Sequence, residues 1–159
     1  MRRQGILTRR YLTPVLIGLG VIALDVLTKR NAANRFAEGD LEIIPGFFGF
    51  TFTENSGAAF SMFQNAGPLL GVAAILVTAA VVWALRRQRP VLEMVAFGLI
   101  IGGALGNVID RVTRGDGFLD GKVIDWINLW WIPTFNIADS AVTLAVILLL
   151  IQAWRTRES

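Results

Sequence analysis

The chain has 159 residues, of which 54% are hydrophobic and only 17% are charged, and its formal net charge is +3. A soluble domain of this length carries about 25% charged residues because its surface must be solvated, so the composition indicates an integral membrane protein. The chain contains no cysteine and no histidine, which excludes disulfides, thiolate nucleophiles, Cys/His zinc sites and Ser-His-Asp triads. In such a protein a small excess of cations indicates membrane topology rather than nucleic-acid binding.

Apolar stretches predict four transmembrane helices in a single integral membrane domain that spans residues 1–159. Crossing a hydrocarbon core of about 30 Å takes roughly 20 helical residues. Gly102, Gly103 and Gly106 in the third stretch favour close packing against a neighbouring helix. The predicted helices cover about 12–28, 67–85, 91–109 and 137–154.

Basic residues indicate the orientation of these helices. They concentrate before the first helix, between the second and the third, and after the fourth, as in Arg9, Arg86 and Arg155. Because cytoplasmic segments of membrane proteins carry an excess of Lys and Arg, both termini are expected in the cytoplasm. The two long connections, about 30–66 and 110–136, are then external.

Both long connections show patterns of ordered structure. Residues 41–63 are rich in Phe, Ile and Thr, with Pro-Gly and Ser-Gly breaks, which predicts a small external β-sheet. Residues 126–134 contain three tryptophans. Tryptophan is typical of the headgroup region, so this stretch is expected to form a short interfacial element.

Aspartates occur where a membrane normally excludes charge, at Asp25, Asp110, Asp125 and Asp139. Such charges cost a few kcal/mol on insertion scales and are usually functional or paired. In the predicted topology all four lie near the external leaflet, so they form one constellation. The structural alternatives are an ion pair of Asp25 with Lys29 at i,i+4, a surface pair of Asp110 with Arg111, and a helix cap by Asn136 beside Asp139.

This set of side chains favours an aspartic protease at a membrane surface. Two close carboxylates share one proton, so the ionised member can take a proton from water while the protonated member polarises a carbonyl. Nearby asparagine amides and an arginine can orient the substrate. Three other functions stay open: a proton-coupled transporter, a Ser-Lys peptidase using Lys29 with Ser56, Ser61 or Ser140, and a phosphotransferase with a divalent ion on the aspartates.

Five segments resemble, in order, the motifs of the lipoprotein signal peptidase family, also called type II signal peptidase. They are LDVLTK at 24–29, ENSGAAFS at 54–61, GGALGNVIDR at 102–111, VIDW at 123–126 and FNIADS at 135–140. Because they span nearly the whole chain in order, the resemblance is specific. It implies an all-α membrane fold of four transmembrane helices, with a small external β-sheet (the cradle) at 41–63 and a short interfacial external helix at 126–134.

The resemblance also implies an activity. Members are multi-pass aspartic endopeptidases of the bacterial plasma (inner) membrane, with the active site near the external leaflet. They remove the signal peptide of prolipoproteins by cutting before a diacylglyceryl-modified cysteine. The expected partners are therefore such a prolipoprotein and membrane lipids, with no nucleic acid. Neither a cofactor nor a metal is expected, and the protein is expected to be a monomer.

Carried over motif by motif, the resemblance places the catalytic pair at Asp125 and Asp139. The small residues Gly57 and Ala58 are expected to let the substrate backbone approach closely. Residues 114–121 form an apparent insertion, and the stretch from Asp125 to Asp139 is short, which leaves the shape of the external helix open. Substrate-contacting or site-shaping roles are assigned to Asn55, Asn107, Arg111 and Asn136, and supporting roles to Asp25, Lys29 and Asp110.

Overall fold

The computed structural model describes residues 2–57 and 66–157. Within this part of the chain, four helical stretches are long and apolar enough to cross a membrane: Tyr11–Arg35 of the first helix, and the other three helices in full. The four predicted transmembrane helices are therefore confirmed, but the first continues past the predicted end near residue 28 to Arg35, so residues 30–35 are helical rather than part of the external connection. The elements are α1 (Arg2–Arg35), β1 (Leu41–Ile44), β2 (Phe48–Asn55), α2 (Gly67–Ala84), α3 (Val91–Thr113), β3 (Val123–Leu129), β4 (Ile132–Phe135) and α4 (Ile137–Arg155).

Local signals explain where the later helices begin. A proline stands in the first turn of α2, where its missing N–H leaves no hydrogen bond unmade. Pro90 immediately precedes α3. The end of α3 differs from the prediction, because the helix continues past residue 109 to Thr113. Asp110 and Arg111 are therefore helical residues rather than loop residues.

The central helix of the bundle is α3, which packs against α1, α2 and α4. Its glycines permit this close approach. A Cβ at Gly102 would lie 2.6 Å from the Cβ of Val21 in α1, and a Cβ at Gly103 would lie 2.5 Å from the carbonyl oxygen of Ala138 in α4. The prediction that these small residues serve helix packing is confirmed, since any side chain there would push the helices apart.

The two long connections together form a four-stranded antiparallel sheet in the order β1-β2-β3-β4 within the described residues. Because β1 and β2 join α1 to α2, and β3 and β4 join α3 to α4, the sheet lies at one end of the bundle. Phe48 pairs with Leu129, and Asn55 pairs with Val123. The predicted sheet in 41–63 is thus confirmed for β1 and β2, and residues 58–63 lie outside the described part.

The predicted interfacial helix at 126–134 is wrong. These residues belong to β3 and β4, which form a hairpin that turns at Trp130 and Trp131. The N–H of Trp130 donates to the carbonyl of Phe47 at 2.6 Å, which ties this turn to the turn between β1 and β2. A high tryptophan content indicates that a segment lies near the membrane surface, but it does not distinguish a helix from a strand. Here the edge of β2 supplies backbone hydrogen-bond partners, so the segment is extended.

Candidate active site

Polar and charged side chains are buried where the sheet meets the helices. Burying a charge is costly unless it is paired and hydrogen-bonded, so these residues must satisfy one another. All of them were singled out from the sequence as site or supporting residues. Among the described residues, the buried polar set is Asp25, Lys29, Asp110, Arg111, Asp125 and Asn136.

Asp125 lies in β3 and is 3% exposed. Asn55 Nδ2 donates to its Oδ2 at 2.9 Å, and Asn136 Nδ2 donates to its Oδ1 at 2.7 Å. Burial, followed by the charge of Asp139, raises the pKa of Asp125 to about 6, although both amide hydrogen bonds favour the ionised form. The carboxyl group is therefore held in a fixed orientation and changes its charge close to neutral pH.

Asp139 lies in the first turn of α4, where a capping box sets its position. Asn136 Oδ1 accepts from the backbone N–H of Asp139 at 2.9 Å, and Asp139 Oδ2 accepts from the backbone N–H of Asn136 at 3.2 Å. Asn107 of α3 donates from Nδ2 to the other carboxylate oxygen at 2.8 Å. The predicted helix cap is confirmed, and it leaves Asp139 lining a cavity.

Asn136 connects the two aspartates. Its Nδ2 reaches Asp125 Oδ1 at 2.7 Å and also lies 3.2 Å from Asn107 Oδ1 and 3.3 Å from the carbonyl of Ile124. Its Oδ1 and backbone N–H bind Asp139. One buried asparagine thus links both carboxyl groups in a single hydrogen-bonded network, and sequence spacing alone did not reveal this link.

Lys29 of α1 is a buried cation that joins this network through Asn107. Its Nζ lies 2.7 Å from Asp25 Oδ2, 2.8 Å from Asp110 Oδ2 and 2.9 Å from Asn107 Oδ1. The predicted i,i+4 pair with Asp25 is confirmed. The contacts with Asp110 and Asn107 were missed, because nothing in the sequence pattern relates α1 to α3 at this position. All three hydrogens of the ammonium group have an acceptor.

The two supporting aspartates each hold a further backbone element. Asp25 Oδ1 accepts from the N–H of Ala138 at the start of α4, at 2.9 Å. Asp110 Oδ2 accepts from the N–H of Ile124 in β3 at 3.3 Å, and its Oδ1 accepts from Arg114 Nε at 2.8 Å. The residues adjacent to both members of the Asp125–Asp139 pair are thereby anchored to α1 and α3.

Arg111 reaches across the site to backbone carbonyls. Its Nη2 donates to Gly57 O at 3.1 Å, and its Nη1 lies 3.5 Å from Gly121 O. Since Arg111 and Asp110 are both buried, the alternative that they form a surface pair is wrong. Gly57 is placed beside the site as expected, whereas Ala58 lies outside the described residues.

A cavity of about 970 Å³ opens beside the aspartates. It extends along α3 from Arg111 to Ile100, roughly 16 Å at 1.5 Å per residue. Leu70 of α2 and Ile147 of α4 are among the apolar side chains of its walls. A long apolar channel that carries polar groups at the sheet end suits an amphiphilic ligand. The polar residues that line it are Asn55, Asn107, Arg111, Asp125 and Asp139.

Two alternatives drawn from the sequence, a metal site on the aspartates and a Ser-Lys pair, concern the same side chains. Within residues 2–57 and 66–157, no three Asp, Glu, His or Cys side chains are grouped as metal ligands. Ser140 Oγ donates to the carbonyl of Asn136 at 2.9 Å, whereas Lys29 binds Asp25, Asp110 and Asn107. Ser61, another candidate for a Ser-Lys pair, lies outside the described residues.

Comparison with known proteins decides the family. The family described as Signal peptidase (SPase) II matches residues 17–155. The chain belongs to the signal peptidase II family. It is therefore a multi-pass membrane protease, and the resemblance drawn from the five motifs is confirmed.

Individual relatives align with this signal peptidase II chain over most of their own length. The lipoprotein signal peptidase of Symbiobacterium thermophilum is 37% identical over 144 residues, which cover 86% of this chain and 91% of the relative. That of Chlorobium phaeovibrioides is 41% identical over 145 residues, with 84% and 85% covered. A solved structure described as a bacterial membrane enzyme, determined by the in meso method at 2.3 Å, has a TM-score of 0.80 at 31% identity and covers 91% of this chain and 89% of its own.

Proposed function

We propose that this chain is an aspartic endopeptidase that removes the signal peptide from diacylglyceryl-modified prolipoproteins, cutting before the lipidated cysteine. Relatives at 37% and 41% identity are lipoprotein signal peptidases, which supports the substrate class. The observation that carries the mechanism is one pair of aspartates, Asp125 and Asp139, that line the same cavity and are joined through Asn136.

Cleavage uses one water molecule and one shared proton. As the water oxygen attacks the scissile carbonyl carbon, the ionised aspartate takes a water proton and the protonated aspartate gives its proton to the carbonyl oxygen. The first aspartate then gives its proton to the amide nitrogen. The second takes the proton of a hydroxyl group bonded to the tetrahedral carbon, and the C–N bond breaks. The pair ends as it began, with one proton.

The surrounding amides keep each aspartate ready for its part. Asn55 and Asn136 orient the two oxygens of Asp125, and Asn107 orients Asp139. Such preorganised donors stabilise charge without reorganising during the reaction. A pKa of about 6 for Asp125 is consistent with a pair that shares one proton near neutral pH.

The apolar walls of the cavity fit a lipid-modified substrate. Each CH₂ group buried there contributes about 0.8 kcal/mol to binding, so two acyl chains fix the scissile bond at the level of the aspartates. In this proposal the protein is a monomer in the bacterial inner membrane, with both termini cytoplasmic and the sheet on the external side. Gly57, beside Arg111 in the cavity wall, gives the substrate backbone room to approach.

A cleavage assay on the purified protein in detergent tests this proposal. A diacylglyceryl-modified prolipoprotein should be cut before its cysteine, at the same rate with and without chelator, and the unmodified precursor should be cut far more slowly. Asp125→Asn and Asp139→Asn should each abolish cleavage in folded protein. Glu93→Gln is the matched control, because Glu93 pairs with Arg89 at 3.2 Å near the opposite end of α3.

The outcomes separate the two parts of the proposal. Near-normal turnover by Asp125→Asn would show that the assigned pair is not catalytic. Equal cleavage of lipidated and unmodified precursor would contradict the substrate class and leave a general membrane protease. Loss of activity in chelator would require a metal-dependent reaction in place of the two-aspartate mechanism.

A further inference from the structure

A buried leucine lies in the connection between α3 and β3. Leu119 is 4% exposed, although its neighbour Phe118 is 73% exposed. Its φ is 55°, a left-handed conformation that a leucine rarely adopts. Such residues persist only where the surrounding structure holds them, and they concentrate at positions with a role in function.

Leu119 packs onto glycines in the first turns of α2. A Cβ at Gly71 would lie 3.1 Å from both Cβ and Cδ1 of Leu119, and a Cβ at Gly67 would lie 3.1 Å from its carbonyl oxygen. Residues four apart lie on the same face of a helix. The side chain of Leu119 therefore fills the hollow at Gly71, while its backbone lies against Gly67, where Arg111 Nη1 is also 3.0 Å from a Cβ position.

The connection that carries Leu119 is itself fastened to α3. The N–H of Gly121 donates to the carbonyl of Arg111 at 3.1 Å. Arg114 Nε lies 2.8 Å from Asp110 Oδ1. Because the loop is braced on both sides of Leu119, the leucine can transmit the position of α3 to α2.

The contacted helix forms one wall of the cavity beside the aspartates. Leu70, Ala74 and Val77 of α2 line this cavity, and residues of α3 and α4 also contribute to its walls. Asp125 and Asp139 lie in β3 and α4. A displacement of α2 therefore changes the apolar part of the cavity without moving either carboxyl group directly.

We propose that Leu119 is a positioning residue that locks the start of α2 to the α3–β3 connection and thereby sets the width of the cavity that receives the apolar part of the substrate. The proposal rests on the function proposed above. Contacts of the substrate with α2 are made equally in the ground state and the transition state, so their loss raises KM and leaves kcat nearly unchanged.

Kinetics of leucine variants with the diacylglyceryl-modified prolipoprotein give the first test. Leu119→Ala should raise KM about fivefold and change kcat less than about twofold. Leu119→Met, which keeps the side-chain volume, should behave as the native chain, and Phe118→Ala in the same loop is the matched control. Adding Gly71→Ala to Leu119→Ala should recover part of the loss, because the new methyl group fills part of the hollow.

Results of the opposite kind would overturn the proposal. An unchanged KM in folded Leu119→Ala would show that the contact does not set substrate binding. An equal rise in KM for Phe118→Ala would assign the effect to the loop in general. A fall in kcat at constant KM would show that the leucine acts on the aspartate pair instead.

Spin-label distances give a second test that needs no activity. The native chain contains no cysteine, so Leu69→Cys on α2 and Val112→Cys on α3, at positions 65% and 60% exposed, accept labels selectively. Leu119→Ala should lengthen or broaden the distance between the labels, and Phe118→Ala should leave it unchanged. An unchanged distance in Leu119→Ala would overturn the proposal.

The same labels cover two further cases. Where Leu119→Ala is not recovered folded, Gly71→Leu in the otherwise native chain probes the same contact. A Cβ at Gly71 already lies 3.1 Å from Cβ and Cδ1 of Leu119, so the larger side chain has no room unless α2 separates from the α3–β3 connection. An unchanged distance there would also overturn the proposal. If the native chain fails to cleave the lipidated precursor, the proposed function fails, while the distances still decide whether Leu119 positions α2.

Discussion

Replacing Lys29 by methionine tests the buried cation on which the aspartate network depends. The lysine side chain is 1% exposed, and its Nζ lies 2.7 Å from Asp25 and 2.8 Å from Asp110. Methionine retains much of the apolar volume but removes the charge and the hydrogen bond to Asn107. In the variant, the carboxylates of Asp25 and Asp110, which are 0% and 6% exposed, therefore remain buried without the ammonium group that pairs with both.

The structure sets the size of the expected loss. Removing one partner of a buried ion pair costs about 3–5 kcal/mol, because the remaining charge is uncompensated. Asp110 keeps Arg114 Nε at 2.8 Å, and Asp25 keeps the N–H of Ala138 at 2.9 Å. Because these contacts partly compensate both carboxylates, we expect the free energy of unfolding to fall by about 3 kcal/mol, the lower end of that 3–5 kcal/mol range. For a chain of this length that corresponds to a Tm lower by about 10 °C.

Thermal unfolding in one detergent, followed by tryptophan fluorescence, measures the effect. Lys122→Met is the matched control, because Lys122 pairs with Glu54 at 3.2 Å while their side chains are 53% and 47% exposed. An exposed pair of this kind contributes less than about 1 kcal/mol. The double variant Lys29→Met/Asp25→Asn should recover part of the lost Tm, since one uncompensated charge is removed. Equal shifts in Tm for Lys29→Met and Lys122→Met would refute the reasoning.

Two further predictions concern pH and topology. The pKa of Asp125 is raised from 3.8 to about 6, so between these values the folded state binds the proton more tightly than the unfolded state does. The free energy of unfolding is therefore highest below pH 4 and falls by about 3 kcal/mol as the pH rises through 6. Curves of Tm against pH should be flatter between these values for Asp125→Asn, and parallel curves would contradict the raised pKa. Reporter fusions after Arg89 and Arg157 should be cytoplasmic, and fusions near Glu38 or Gly117 should be external; an external carboxyl terminus would contradict the predicted orientation.

Features that depend on neighbouring residues were predictable from the sequence alone. An apolar run of about 20 residues has one favourable structure in a bilayer, a helix that satisfies its own backbone hydrogen bonds. The described part of the chain contains four such helices. The pair of Asp25 with Lys29 and the cap of α4 by Asn136 follow from spacings of four and three residues. Within one helical turn, spacing determines which side chains meet.

The extended structure of 126–134 was not predictable in this way. Its tryptophans indicated a position near the membrane surface, which a helix or a strand can occupy equally well. The choice was made by β2, whose Phe48 and Asn55 pair with Leu129 and Val123. A strand takes its hydrogen bonds from another segment, so its formation depends on a partner that the local sequence does not contain.

The sequence placed four aspartates near one face of the membrane, but only the tertiary structure decided which partner each would meet. Asn55 donates to Asp125 across 70 positions of the chain, and Lys29 reaches Asn107 across 78. Several asparagines and cations of the same chemistry were available to each carboxyl group. The selection rests on how closely α1, α3 and α4 pack across glycines and on the register between β2 and β3, and both are properties of the whole fold rather than of any one segment.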